Sequence, residues 1–238
     1  MARTGASDAH GAQAPDQSLW LSTAPPGATL QPLRGHVETE VLVIGAGVAG
    51  ATTALHLAER GIQVAVVEAG EPGCGATGQS GGLIAPDYIR HSPETICTAL
   101  GTEAGERLTR MIGRSAQTVF DLVERHAIDC DPRQDGFYTP AHTEALAQDQ
   151  RQYAEQWRTR GYDVDFVEAE ASARLFGSPR YAGALQFRTG GSLNPLAYVR
   201  GLIRSALDSG AKVFANSRVK SLTRQAGGWI CRTREGTI

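Results

Sequence analysis

Between Val41 and Glu68 the chain passes through a short apolar run, a turn with glycines at fixed offsets, a stretch of helical spacing, a second apolar run and an acid. Val41-Leu42-Val43-Ile44 suits a strand buried on both faces, and Gly45-Ala46-Gly47-Val48-Ala49-Gly50 follows it at once. Gly45 permits the tight turn out of the strand. Gly47 lets the backbone approach a pyrophosphate, and Gly50 lets the new helix sit close to the sheet. That helix, from Val48 to about Arg60, turns Ala54, Leu55 and Ala58 toward the sheet and stops at Gly61. Its first N–H groups, beginning at Val48 and Ala49, have no partners within the helix. With the positive end of the helix dipole they favour an anion.

Gln63-Val64-Ala65-Val66-Val67 is the next buried strand, with Glu68 and Ala69 at its carboxyl end. An acid about 20 residues beyond the glycines hydrogen-bonds the ribose hydroxyls of a dinucleotide. The same carboxylate repels a 2′-phosphate, so the expected cofactor is FAD or NAD and not NADP.

The composition narrows the surroundings. With 238 residues, 41% of them apolar and 20% charged, the chain makes one large domain or two small ones and buries a true core. Its formal charge of -2 and scattered arginines give no basic stripe, so neither nucleic acid nor an anionic membrane is an expected partner. No apolar run reaches the ~20 residues of a membrane span, and the N-terminus lacks the form of a signal peptide, so a cytoplasmic protein is expected. Cys74, Cys97, Cys130 and Cys231 lack paired spacing, and the histidines never fall at metal-ligand spacing, so neither a zinc site nor a disulfide framework is expected. There is no G-x-S-x-G elbow for a serine hydrolase.

Residues 1–17 lack periodicity and read as a disordered leader. An extended arm with Trp20, Pro25 and Pro26 leads to the first strand. After Glu68, the segment Gly70 to Gly82 is too glycine-rich for a regular element, and its backbone N–H groups and small hydroxyls suit it to wrapping a cofactor. Ser92-Pro93 and Thr102 read as helix starts. Leu108, Ile112, Val119 and Val123 predict one long amphipathic helix to His126. A strand is expected near Phe137, a helix from Thr143 to Gly161 with Tyr153 and Trp157 on one side, and a short helix over 168–175. Asn194-Pro195 opens a helix to Gly210, Lys212–Ala215 is a third parallel strand, and a hairpin turns at Gly227-Gly228. The fold class is therefore α/β, a dinucleotide-binding domain split by a helical and mixed insertion.

The glycine motif with Glu68, the loop Gly75-Ala76-Thr77-Gly78-Gln79-Ser80-Gly81-Gly82, the segment 177–185 and Leu193-Asn194-Pro195-Leu196 together resemble the FAD-dependent amine and amino-acid oxidase superfamily. Within it the gamma-glutamylputrescine oxidoreductase-like branch is most similar, and the Trp20 arm and Pro25-Pro26 share that likeness. The branch usually has serine, arginine and asparagine where this chain has Thr77, Gln79 and Ser80. Thr77 keeps the hydroxyl, Gln79 removes a positive charge and Ser80 an amide.

The resemblance implies non-covalent FAD held by Gly45, Gly47, Val48, Ala49, Gly50, Glu68, Ala69, Ala76, Thr77, Gly78, Gly81 and Gly82, with the backbone of Val219 at the adenine. It implies oxidation of a C–N bond in a small amine or amino acid: a hydride equivalent leaves the carbon, and water hydrolyses the imine. Cys74 is not expected to carry the flavin, and no catalytic residue is assigned. By the same likeness, residues 18–90 and 191–238 form the FAD-binding domain, and 91–190 form a helical cap and the start of a substrate domain. Relatives continue for about as long again, so a truncated form lacking the C-terminal part is expected. An NAD-dependent dehydrogenase and a non-catalytic fragment are the competing readings.

Overall fold

The computed structural model describes residues 18–238, and the leader expected over 1–17 lies outside them. The arm opens with a short helix, α1 (Leu19–Thr23), and runs extended past three prolines to β1 (Gly35–His36). Next come β2 (Val41–Ile44), α2 (Val48–Ala58) and β3 (Val64–Val67), in the order that the hydrophobic periods predict. Past the end of α2, Gly61 adopts φ +74, its N–H bonds the Ala58 carbonyl and the Ile62 N–H returns to Leu57. The glycine-rich segment after β3 contains one regular piece, a 3-10 turn over Thr77–Gln79, before β4 (Leu83–Ile84).

The helix α3 (Pro93–Leu100) begins on a reciprocal cap: the Ser92 side chain accepts the Thr95 N–H, and the Thr95 hydroxyl accepts the Ser92 N–H. Two helices, α4 (Thr102–Gly113) and α5 (Ser115–Arg125), stand where one long helix is expected, and Gly101 takes the cap position expected of Thr102. Gly113 presses bare backbone against Tyr162, where a Cβ would come within 2.3 Å of the ring. Ser115 Oγ then bonds the Ile112 carbonyl at 2.7 Å. A glycine followed by a serine bonding backward weakens the helical ladder at that point.

The strands β5 (Phe137–Ala141), β6 (Val164–Glu168) and β7 (Gly183–Phe187) are joined through α6 (Glu144–Arg158) and α7 (Ala169–Phe176). They form an antiparallel sheet with β7 in the centre. The chain returns through β8 (Gly191–Ser192), α8 (Pro195–Asp208) and β9 (Lys212–Phe214). It continues as β10 (Ser221–Gln225), β11 (Gly228–Arg232) and β12 (Gly236–Thr237).

The parallel sheet has the order β2-β3-β9, with Val43 opposite Val66 and Val66 opposite Val213. Every residue of β3 is buried, and the strand alternates strictly. Val64 and Val66 face Leu55, Leu202 and Ile203 of α2 and α8, while Ala65 and Val67 face Leu33 and Ile238 beneath. The lower layer is a four-stranded sheet in the order β1-β12-β11-β10. Burial on both faces is correct for β3 but not for β2, whose residues are half-buried and whose Ile44 is 52% exposed. Among the described residues β2 pairs only with β3, so its other edge meets no strand.

A second core lies under α6, where Trp157 is fully buried among Val164, Leu185 and Phe187. Tyr88 stacks on it with ring centroids 5.6 Å apart, and Tyr153 meets it edge-on. Beside Tyr88, the Asp87 carboxylate accepts the Tyr153 O–H. Burial holds the Asp87 carboxyl above its ordinary value of 3.8, and the Tyr153 bond offsets only part of this. The folded state thus holds the proton more tightly than the unfolded chain. Stability from this site is greatest below 3.8 and falls as pH rises through the raised folded value. Asp87→Asn keeps an oxygen for Tyr153 and removes the charge. Thermal melts are expected to show a flatter dependence for the variant than for the parent as pH rises above the ordinary value of 3.8.

Candidate functional site

The glycine turn after β2 uses each glycine for a different reason. Gly45 has φ +98 and open space around it, so its backbone geometry requires glycine. Gly50 has an ordinary helical backbone but no room, since a Cβ there would lie 1.9 Å from the Gly45 carbonyl oxygen. Gly47 has neither constraint within the chain, and the nearest atom to a Cβ would be Thr77 Oγ1 at 3.4 Å. Its bare backbone opens onto the N-terminus of α2, where no side chain caps the helix and no acid occupies the first turn. Val48 N–H meets only the Thr77 hydroxyl, at 3.4 Å, and Val48 and Ala49 are exposed. An uncapped helix start with a hydroxyl beside it is a receptor for an anion.

Glu68 leaves β3 and folds back on the turn. Its carboxylate accepts the Ala46 N–H at 2.7 Å and the Gly70 N–H at 3.0 Å, one on each oxygen. Each oxygen keeps a lone pair for a further donor such as a sugar hydroxyl. The segment is zipped to the exit of β9: Glu68 N–H bonds the Phe214 carbonyl, Ser217 N–H the Glu68 carbonyl and Asn216 N–H the Gly70 carbonyl. This brings Val219 beside the same sheet, half-buried against the cluster of Leu33, Ala65 and Val67. Its own N–H and carbonyl enter none of the turn and loop hydrogen bonds of the described residues.

The second glycine loop closes on the first. Gly73 N–H bonds the Ala46 carbonyl, and Gly78 N–H bonds the Gly73 carbonyl across a space a side chain would fill. The structure thus gathers 45–50, 68–70 and Thr77–Gly78 around one end of α2, and Ala76 begins the 3-10 turn with its side chain exposed. Gly81 and Gly82 sit at the far end of the loop, next to β4. There Gly82, φ +69, has the Leu193 carbonyl at 2.4 Å and the Trp20 ring at 3.1 Å from a would-be Cβ.

Three residues near the site make contacts that the sequence does not reveal. Ser217, 3% exposed, accepts the Leu33 N–H and donates to the Ala215 carbonyl, fixing the arm to the exit of β9. Asn194 is legible as a helix cap, yet its Nδ2 also reaches α1. Trp20 contacts the second glycine loop, which its isolated position in the sequence does not reveal. The four thiols are free, with Cys74 exposed in the loop and Cys130 pushed up to about 12 by burial. No group of three metal-ligating side chains converges among the described residues, and no helix there is long and apolar enough to cross a membrane.

Residues 40–238 match the family model described as FAD dependent oxidoreductase, DAO. The chain is 30% identical over 222 residues to gamma-glutamylputrescine oxidoreductase of Escherichia coli (strain K12), covering 93% of this chain and 51% of that protein. It is 28% identical over 226 residues to the probable oxidoreductase OrdL of Rhizobium meliloti (strain 1021), covering 94% and 52%. Among solved structures, glycine oxidase from Geobacillus kaustophilus superposes with a TM-score of 0.67 at 23% identity, over 86% of this chain and 53% of that one. L-Amino acid deaminase from Proteus myxofaciens, in complex with anthranilate, gives a TM-score of 0.72 at 22% identity, over 89% and 46%. These two show the fold. The chain spans about half the length of the curated relatives it matches.

Proposed function

Because this chain belongs to the FAD dependent oxidoreductase family, we propose that it binds FAD without a covalent link and serves oxidation of a C–N bond in a small amine or amino acid. The observation that carries the reading is the pairing of an uncapped α2 N-terminus with a carboxylate already fixed beside it. The pyrophosphate meets the N–H groups at Gly47, Val48 and Ala49 and the Thr77 hydroxyl, with Gly50 allowing the close approach of α2. Glu68 takes the ribose hydroxyls on its free lone pairs. The unengaged N–H and carbonyl of Val219 suit the hydrogen-bonding edge of adenine. Ala69, Ala76, Gly78, Gly81 and Gly82 line the path toward the flavin. When bound, FAD supplies the acceptor for a hydride equivalent from the amine-bearing carbon.

Residues 18–90 and 191–238 constitute the FAD-binding unit, and 91–190 the helical cap and the first strands facing substrate. The pairing of β9 with β3 across the intervening elements supports this division. The amine or amino-acid class rests on the names of the relatives, gamma-glutamylputrescine oxidoreductase and glycine oxidase among them.

The purified chain is expected to be yellow and to retain its colour until denaturation frees the flavin. A colourless chain that binds NAD instead overturns the proposal. Glu68→Gln replaces an acceptor-only group with one that points N–H at N–H. Since hydrogen bonds to charged groups are worth ~1.5–3 kcal/mol, FAD affinity is expected to fall by about tenfold to about a hundredfold in a fluorescence titration.

A further inference from the structure

We infer that residues 18–23 form a brace that sets the position of the 77–82 loop against the cofactor, with Trp20 and Asn194 as positioning residues; this rests on the FAD reading above. Helix α1 has five residues, none of them buried, and no side-chain cap. A helix that short is not stable by itself, and this one has little apolar burial to hold it. What fixes it is a set of polar bonds running in two directions.

On one side lies the N-terminus of α8. Asn194, 6% exposed, uses its whole hydrogen-bonding capacity there. Its Oδ1 accepts the N–H groups of Leu196 at 3.1 Å and Ala197 at 3.0 Å, capping α8. Its Nδ2 donates to the Trp20 carbonyl at 3.3 Å and to Thr23 Oγ1 at 2.9 Å. Arg200 and Arg204, farther along α8, donate to the carbonyls of Pro25 and Pro26 and hold the next stretch of the arm.

On the other side lies the loop. Trp20 Nε1 donates to the Ser80 carbonyl at 2.8 Å, and Ser18 Oγ donates to the Gly78 carbonyl at 3.3 Å. The Trp20 ring occupies the space where a Gly82 side chain would stand, while Leu193 N–H bonds the Gly82 carbonyl at 2.9 Å. The loop's own regular structure is three residues of 3-10 turn. Its first part is held by the Gly73 bond to Ala46 and by packing of Gly73 on Leu196 and Val199, and the contacts with α1 hold the part from Gly78 to Gly82. Thr77 belongs to that turn and stands at the start of α2, 3.4 Å from the Val48 nitrogen. Any shift of the turn is therefore felt at the phosphate end of the site, and displacement of Gly81–Gly82 at the opposite end. Helices α2 and α8 pack directly on each other in the main core, and α1, through Trp20 and Asn194, adds a separate tie from α8 to the loop.

The test compares the full chain with Trp20→Phe, Trp20→Ala and Asn194→Asp. Three quantities are measured: amide exchange of peptides spanning 77–83, FAD affinity by fluorescence titration, and the visible circular dichroism of bound flavin. Phenylalanine keeps part of the ring but not its outer edge, whose Cζ2 and Cη2 lie against Gly82, and loses the bond to Ser80. Faster exchange confined to the loop and about fivefold weaker FAD binding are expected, the worth of one hydrogen bond. Alanine loses both contacts, so weakening of about tenfold or more and an altered flavin dichroism are expected. Aspartate still caps α8 but donates nothing to α1, so it should act in the same direction as phenylalanine. Wild-type affinity, dichroism and loop exchange in Trp20→Ala would overturn the brace. So would exchange rising evenly over the whole chain, which marks a merely structural role, or a lack of recovery in Trp20→Phe relative to alanine. If the parent chain takes up no FAD, the cofactor reading fails, and the exchange measurements alone then decide whether the arm holds the loop.

Discussion

Gly50→Ala is expected to destabilise the chain by about 3 kcal/mol and to abolish flavin binding, although it adds a single methyl group. The methyl carbon would stand 1.9 Å from the Gly45 carbonyl oxygen and 3.3 Å from Val43 Cγ1. Neither the turn nor β2 is a flexible side chain able to swing aside, so α2 must lift from the sheet. Lifting it separates Ala51, Ala54 and Leu55 from the buried cluster they share with Val66 and Leu202. It also moves the helix N-terminus away from Thr77 and Glu68. Gly47→Ala is the matched control: its methyl meets only Thr77 Oγ1, at an ordinary 3.4 Å. That variant is expected to melt within a few degrees of the parent yet to bind FAD poorly, because the obstruction appears only when a phosphate approaches. Urea unfolding and flavin titration of the pair separate packing from ligand approach. Equal stability for both variants would contradict the geometry.

The second large effect belongs to the other core. Trp157→Ala is expected to cost about 4 kcal/mol, the usual loss for a large aromatic removed from a packed interior. Trp157 is fully buried and touches the rings of Tyr88, Tyr153, Tyr162 and Phe187, with centroids 5.2 to 6.3 Å away. It therefore joins α6, the antiparallel sheet and the chain leaving β4. Its indole N–H is buried without an acceptor in hydrogen-bonding geometry among the described residues. Trp157→Phe accordingly loses ring area without losing a bond, and about 1 kcal/mol is expected. Urea denaturation followed by circular dichroism measures both variants. A phenylalanine variant as damaged as the alanine one would mean that the N–H has a partner after all.

The β2–α2–β3 region and the return of the chain at α8 and β9 are legible in the sequence because their signals are local. The glycines of the turn, the acid four residues after Val64, the cap at Asn194 and the turn at Gly227-Gly228 each prescribe a backbone geometry within a few residues. What local patterns miss depends on distant partners. That β2 has a strand on one side only among the described residues is invisible in Val41–Ile44, whose apolar run looks the same whether one strand or two lie beside it. The break between α4 and α5 depends on Tyr162, far along the chain, pressing on Gly113. Strands β6 and β7 escape a sequence reading because β6 passes into α7 with no intervening turn residue, and β7 is a short buried run without a partner in view. At the site, the roles of Ser217 and Trp20 arise from contacts to Leu33 and Ser80, which no motif records.

The wide separation of β3 and β9 also gives the site a history during synthesis. The ribosome makes β2, α2 and β3 first, and the residues that complete their sheet, Lys212–Phe214, emerge only after everything from 68 to 211. At ~5–20 residues per second, that is a delay on the order of ten seconds. The bonds from Glu68 to Ala46 and Gly70 span short distances and are available early. The contacts of Ser217 with Leu33 and Glu68, and the placement of Val219, become possible only after β9 has been made. The turn at the start of α2, proposed above to meet the phosphates, is thus complete well before the exit of β9, proposed to meet the adenine, has been made.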